Sequence, residues 1–172
     1  MLTINKYLID QLEHYKLNEK WLIQESMPDS SKLPFEILEV AAKSFIHPDP
    51  ETLNVDLIDL STVLNVTGSG LISTAITKGP ERALKGIKQV LIRTEEQKVL
   101  TKNCKIALLS VFSGPVADLE LEELTLITEV LQSELGIETE VIFGHGIRED
   151  LEDRIQILVV LSANKEVVPE LV

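Results

Sequence analysis

Three polar residues, Asn54, Asp56 and Asp59, stand at the start of the otherwise apolar segment LNVDLIDLSTVL. Asp56 and Asp59 are three residues apart, which would put both carboxylates on one face of a helix. Carboxylates placed in this way can polarise a water molecule or accept its proton. They also suit an ordinary helix start, where Asn54 as the cap is worth about 0.5–2 kcal/mol and the helix dipole favours acids. The leucines of the segment would face the core: Leu57, Leu60 and Leu64.

An acidic loop precedes this helix, so a divalent-cation site is one alternative. His47, Asp49 and Glu51 could join Asp56 and Asp59 as loose ligands of Mg²⁺. None of the three histidines forms an H-x-x-x-H pair, and a solvated acidic loop accounts for the same composition. We therefore expect no dedicated metal site. A small Mg-dependent enzyme built on the Asp56 and Asp59 region stays as an alternative function.

The glycines, serines and the cysteine offer no other chemistry. None of the eight glycines falls in a G-x-x-x-x-G-K or G-x-G-x-x-G pattern, so the sequence carries no glycine-rich phosphate loop. No serine lies in a G-x-S-x-G elbow. Cys104 opens the apolar run CKIALLSVF, where a buried structural thiol is expected rather than a nucleophile. We expect no bound cofactor and no residue that is catalytic in isolation.

Composition and charge narrow the range of partners. The 172 residues carry a formal net charge of −12 without a basic stripe, so nucleic acid and anionic membrane surfaces are repelled. The same charge opposes self-association, and we expect a monomer. The single cysteine fits a reducing compartment. With no N-terminal apolar h-region and no apolar stretch of about 20 residues, the sequence predicts a cytoplasmic protein.

Three parts follow one another along the chain. Residues 1–33 are expected to form an N-terminal helical extension, because apolar residues recur there at helical spacing: Ile4, Leu8, Leu12 and Tyr15. Residues 34–53 hold a second helix over PFEILEVAAKSF and the loop HPDPE, whose two prolines must end that helix. Residues 54–172 alternate between helical and strand patterns and form the main domain.

The main domain is predicted to be α+β. Strands are expected over LISTAITKG, KIALLSVF, TEVIFG and DRIQILVVLS. Helices are expected over PERALKGIKQVLI and DLELEELTLITEVLQSEL, the second with Asp118 as its cap and Gly136 as its stop. The turn HGIREDLE is short enough to join the last two strands as an antiparallel pair. The result is a four-stranded mixed β-sheet with packed helices, in two layers.

From Asn54 onward the order of these motifs resembles the C-terminal domain of the FtsZ/tubulin family. LNVDLIDLSTVL is similar to the synergy loop, with its N-x-D-x-x-D pattern, and GPERALKGIKQVL to the helix that follows. LLSVFSGPVADLELEELTLITEVLQSELG is similar to the next strand and long helix, and EVIFGHGIREDLEDRIQILVVLSAN to the closing strands. LPFEILEVAAKSFIHPDPE is similar to the end of the family's central helix, so residues 34–53 would be a remnant of the central helix and synergy loop. The likeness covers about residues 34–164.

The resemblance implies a role performed on another molecule. In the family, the matching loop of one subunit reaches the nucleotide of its neighbour, and its acids polarise the water that attacks the γ-phosphate. Carried over, Asn54, Asp56 and Asp59 would act in trans on GTP held by an FtsZ-like subunit or a separate GTP-binding domain. The family's GTP-binding domain has no counterpart in the motifs, so we expect a cell-division interaction module rather than an enzyme. It would cap or modulate a polymer.

Two departures from the family accompany this resemblance. Arg148 stands where the family usually carries an acid. No long linker and terminal peptide follow Asn164, so the usual route to membrane-anchoring partners is expected to be absent. A second possibility is that the chain is a fragment of a full FtsZ-like GTPase, in which the same acids act in trans.

Overall fold

The computed structural model describes residues 21–26, 69–91 and 104–163, together with the single positions 55, 59, 62, 63 and 102. The helices predicted over residues 3–15 and 34–45 lie outside these ranges. The described elements are, in chain order, β1 (Trp21–Ser26), β2 (Ser69–Lys78), α1 (Arg82–Val90), β3 (Cys104–Ser113), α2 (Leu121–Leu135), β4 (Glu140–Ile147), a 3₁₀ turn (Glu149–Leu151) and β5 (Arg154–Ala163).

The strands form one mixed sheet in the order β1-β2-β5-β3-β4. β5 runs antiparallel to both β2 and β3, whereas β1 is parallel to β2 and β4 is parallel to β3. The four strands predicted from the sequence are confirmed, and β1 adds a fifth at the edge. The prediction that residues 1–33 form a helical extension is wrong for residues 21–26, which form β1. That segment begins with the strand-prone residues WLI, and its ladder with residues 70–75 of β2 is a long-range pairing that local periodicity does not show.

β4 and β5 are not neighbours, so the predicted antiparallel pair is also wrong. β3 lies between them, and residues 148–153 carry the chain across the end of β3. Residues 155–162 of β5 are all buried, whereas most of β4 is half-buried or exposed. A strand that is buried on both faces belongs at the centre of a sheet, and a half-exposed strand fits an edge.

Both helices pack on the same face of the sheet. Successive strand residues point to opposite faces, and alternate residues of the central strands meet the helices. The other face of β3 and β5 is also buried, for example at Leu108, Leu158 and Val160. The core on the helical side is aliphatic apart from one cysteine: Ala75, Ala83, Ile87, Val90, Cys104, Ala107, Leu109, Val111, Ile127, Leu131, Leu135, Ile155, Ile157, Val159 and Leu161.

Hydroxyl groups of β2 fix α1 against the sheet. The Ser73 hydroxyl donates to the carbonyl of Val90 at 2.9 Å, and the Thr77 hydroxyl donates to the carbonyl of Arg82 at 2.7 Å. Gly86 allows the close approach, because a Cβ at this position would lie 2.8 Å from Cδ1 of Ile157. The two ends of α1 are therefore held by β2, and its first residue has a fixed position.

The start of α2 differs from the sequence prediction. The helix begins at Leu121 with Glu120 as its N-cap residue, so Asp118 is not the cap. The Glu120 N–H donates to Oε2 of Glu123 at 3.2 Å, as in a capping box. The same carboxylate also accepts hydrogen bonds from an arginine, as described below. Gly136 ends the helix with a φ of 94°, as predicted.

Candidate functional site

The structure describes only one of the three polar residues predicted to act in the acidic loop. Asp59 is helical and half-buried, while Asn54 and Asp56 lie outside the described residues. Val63, four residues after Asp59 and on the same helix face, is fully buried. A helix at this point is thus confirmed at Asp59, Thr62 and Val63. The Asp59 side chain is therefore partly shielded from solvent. Its role in trans stays a prediction.

A buried arginine joins four parts of the domain at the end where both helices begin. Arg82 is only 7% exposed, although it is the first residue of α1. Its Nε and Nη2 donate to the two carboxylate oxygens of Glu123, both at 2.8 Å. Nη1 donates to the carbonyls of Ala117 and Asp153 at 3.0 and 3.2 Å, and Nη2 to that of Asp118 at 2.6 Å. All five N–H donors of the guanidinium are therefore used.

The ion pair of Arg82 and Glu123 shifts both of its members toward the charged form. Their side-chain hydrogen bonds raise the pKa of Arg82 and hold the pKa of Glu123 below its ordinary value, against the desolvation of each group. We did not predict this arrangement from the sequence. One signal was present: a cation in the first turn of a helix opposes the helix dipole, so Arg82 needs specific partners.

Arg148 lies on a second polar chain. Its Nε donates to Oδ1 of Asp150 at 3.0 Å, and its Nη1 donates to the side-chain oxygen of Gln156. Gln156 is fully buried on the sheet face opposite the helices, and its Nε2 donates to Oγ1 of Thr74 at 3.0 Å. The guanidinium also lies 5.9 Å from the ring centroid of Phe112. Arg148 thus links the surface to the buried polar groups between β2 and β5.

Asp150 completes this second chain at the surface. Partial burial alone would raise the pKa of its carboxyl group, but the hydrogen bonds and charge of Arg148 outweigh that effect and lower the pKa. The Arg148 guanidinium therefore keeps a nearby carboxylate ionised.

An open groove of about 740 Å³ lies between the starts of α1 and α2. We call it the carboxylate groove. Apolar side chains contribute to its lining: Pro80, Ala83, Ala117 and Leu126. Exposed acids surround them: Glu81, Asp118, Glu120, Glu122 and Asp153. Arg82 lies beneath the groove with its charge already matched by Glu123.

The remaining predicted chemistry concerns Cys104 and metal ions. Cys104 is buried, as predicted, and its burial raises the pKa of the thiol to about 11. Among the described residues, no three histidine, cysteine or acidic side chains group closely enough to hold a metal ion. His47, Asp49 and Glu51 of the alternative Mg²⁺ site lie outside that part of the chain. In the described ranges, no helix combines the length and the apolar character that crossing a membrane requires.

The fold and the motif order agree with a known protein family. A model of the FtsZ family's C-terminal domain matches residues 68–164, which contain β2 through β5. The chain belongs to the FtsZ family. Cell division protein FtsZ 1 of Thermococcus kodakarensis is 32% identical to it over 133 residues, and the FtsZ 1 of Archaeoglobus fulgidus is 26% identical over 136 residues. These matches cover 76% and 78% of this chain but only 35% and 36% of the relatives.

Solved structures show the same fold. The FtsZ of M. jannaschii, solved as an empty dimer, superposes with a TM-score of 0.62 at 22% identity. That superposition covers 94% of this chain and 50% of the M. jannaschii chain. TubZ of Bacillus thuringiensis, solved as GDP-form protofilaments, superposes with a TM-score of 0.54 at 13% identity, covering 78% of this chain and 37% of TubZ. At these identities the likeness establishes the fold alone.

Proposed function

We propose that this FtsZ-family domain is a cell-division interaction module that docks on an FtsZ-like subunit. The observation that carries the proposal is the match of residues 68–164 to the family's C-terminal domain, directly after an N-x-D-x-x-D segment at residues 54–59. The structural relatives support a protein partner, because one was solved as a dimer and another as protofilaments. The partner subunit holds the GTP, and this chain needs no cofactor of its own.

Asn54, Asp56 and Asp59 are the residues that we propose to act across the interface. A carboxylate within hydrogen-bond reach of the attacking water polarises it and favours attack on the γ-phosphate. The buried Val63 anchors the helix that carries Asp59, so this acid has a defined position before docking. A domain that docks in this way caps a polymer end or changes its rate of hydrolysis. If the chain is part of a longer FtsZ-like GTPase, the same acids act between identical subunits.

The test measures phosphate release and co-sedimentation of a cognate full-length FtsZ-like protein, with and without this chain. The double substitution Asp56→Ala with Asp59→Ala should abolish any stimulation of hydrolysis and leave part of the docking, because the surrounding surface supplies most of the contact. Loss of the dipole interactions should cost about 0.3–1 kcal/mol of stability for each acid. Glu129→Ala with Glu138→Ala removes the same charge from exposed positions of the described domain and is the matched control.

Two results would contradict this assignment. Full stimulation by the Asp56 and Asp59 double variant would reduce the acids to ordinary helix-start residues. Equal loss of stimulation in the control variant would mean that only net charge matters. Calorimetry with GTP and Mg²⁺ distinguishes the interaction module from the alternative enzyme. For an interaction module, we expect no heat of binding and no hydrolysis from the chain alone. Turnover by the chain alone would favour the small Mg-dependent enzyme.

A further inference from the structure

We propose that the carboxylate groove is a docking site for a basic, amphipathic segment of another protein. The groove is formed by described residues from the β2–α1 turn and the start of α1, from the segment before α2 and the start of α2, and from the residue before β5. It is separate in sequence from the acidic loop at residues 54–59 and does not depend on the function proposed for that loop.

The charge of the groove selects a cationic occupant. Five exposed carboxylates surround it, and Arg82 contributes no net positive charge because Glu123 neutralises it. Lys78, Lys85 and Arg154 are the nearest cations along the chain. Lys85 already donates to the carbonyl of Pro80 at 2.7 Å, and Arg154 donates to the carbonyls of Leu151 and Asp150 at 2.9 and 2.7 Å. The five acids of the rim therefore outnumber these three cations. An attractive potential of this kind guides a basic partner and repels an acidic one.

The apolar part of the groove favours a partner that carries apolar as well as basic side chains. Pro80, Ala83, Ala117 and Leu126 contribute carbon surface between the acids. Lysine and arginine side chains can lay their methylene stems on such surface while their charged ends reach the rim. Two large apolar side chains adjoin lining residues along the chain: Val116 and Leu121, which are 74% and 73% exposed. An amphipathic segment with one basic face and one apolar face matches both the acidic rim and the apolar lining.

A second copy of this chain is a poor occupant, because two molecules of net charge −12 repel each other. The groove itself has a fixed shape. Arg82 binds the carbonyls of Ala117, Asp118 and Asp153 and the carboxylate of Glu123, so the walls are joined from below by hydrogen bonds. A site that is already ordered loses less entropy when a partner binds.

The experiment uses the full chain and a fluorescein-labelled synthetic peptide of about 14 residues, or about four helical turns, with lysines on one face and leucines on the other. A scrambled peptide of the same composition is the ligand control. The groove variant is Glu81→Gln, Glu122→Gln and Asp153→Asn. The matched charge control is Glu129→Gln, Glu138→Gln and Glu140→Gln, which removes three exposed acids outside the groove lining. Thermal melts of all variants confirm that each is folded.

We expect the groove variant to bind the amphipathic peptide about tenfold more weakly than the unmodified chain, and the charge control to change binding by less than about twofold. The scrambled peptide should bind more weakly than the ordered one, and amide shifts in the NMR spectrum should concentrate at residues 79–83 and 117–126. Equal weakening by both variants, equal binding of both peptides, or no binding by the full chain would each overturn the proposal. Displacement of the peptide by Mg²⁺ with groove amide shifts from Mg²⁺ alone would assign the groove to a cation instead.

Discussion

At the scale of single residues, the pair of Arg82 and Glu123 dominates the described domain. Glu123→Gln would leave a guanidinium that is 7% exposed without its counter-charge. Because removing one partner of a buried ion pair is strongly destabilising, and Glu123 is itself 19% exposed, we expect a loss of about 2–4 kcal/mol in urea unfolding at pH 7. The neighbouring exposed acid gives the control, since Glu122→Gln should change stability by less than about 0.5 kcal/mol. Equal effects of the two substitutions would refute a special role for the pair.

The same pair predicts a direction for the pH dependence of stability. The pKa of Glu123 is lower in the folded chain than its ordinary value of 4.5, so the folded state favours the ionised carboxylate. Its contribution is complete above the unfolded pKa and is lost as the pH falls through the folded pKa. The stability difference between the unmodified chain and Glu123→Gln should therefore be constant near neutral pH and shrink below about pH 4.5. Parallel unfolding curves down to pH 3 would contradict this.

Cys104 gives a third prediction at this scale, about reactivity. Burial raises the pKa of its thiol to about 11, so almost none of it is thiolate at pH 8, and its side chain is enclosed in the core. We expect a disulfide reagent such as DTNB to modify the native chain only as fast as the chain opens, and to modify the urea-unfolded chain at once. Rapid labelling of the folded chain at pH 8 would show that the thiol is accessible.

At the scale of elements, the turn after β3 depends on a glycine. A Cβ on Gly114 would lie 2.0 Å from the carbonyl oxygen of Glu152, and the Gly114 N–H donates to the carbonyl of Arg154 at 3.0 Å. Gly114→Ala must therefore push the end of β3 away from the start of β5, which we expect to cost about 3 kcal/mol. Gly79→Ala is the comparison: it has open space, and its positive φ should cost only about 1 kcal/mol. Chemical denaturation of both variants would measure the difference.

The elements also show what local patterns can and cannot predict. α1 and α2 were predictable because Ala83 and Ile87, or Ile127 and Leu131, repeat at helical spacing and are buried. The position of β5 between β2 and β3 was not predictable from local patterns. Strand order depends on pairings between residues far apart in sequence, such as Ser73 with Val159. The cap of α2 was missed for a local reason: Glu120 and Glu123 form a capping box in which a glutamate stands where serine or threonine is usual.

At the scale of the whole molecule, the family and the architecture were predictable, whereas the polar sites were only partly so. The acidic segment at residues 54–59 stood out because it interrupts an apolar pattern. The carboxylate groove did not, because its acids come from three separate parts of the chain and only the fold brings them together. Short-range periodicity encodes the layers of this domain. Its interaction surfaces arise where the ends of different elements meet.

The edge formed by β1 gives the last prediction, which concerns association. β1 pairs with β2 from Trp21–Gly70 to Ser26–Ala75, so deletion of residues 1–26 would leave the backbone groups of β2 unpaired along that edge. Because β2 is rich in apolar and β-branched residues, the shortened chain should associate at micromolar concentration in sedimentation velocity, more strongly as salt screens its charge. Leu22→Pro and Ile23→Pro, made separately in the full chain, provide the control. Alternate N–H groups of a strand point to opposite sides, so only one of the two proline substitutions removes a hydrogen bond to β2. We expect that substitution to promote association more strongly than the other. A shortened chain that stays monomeric at high salt, with an unchanged melting temperature, would show that β1 does not protect the β2 edge.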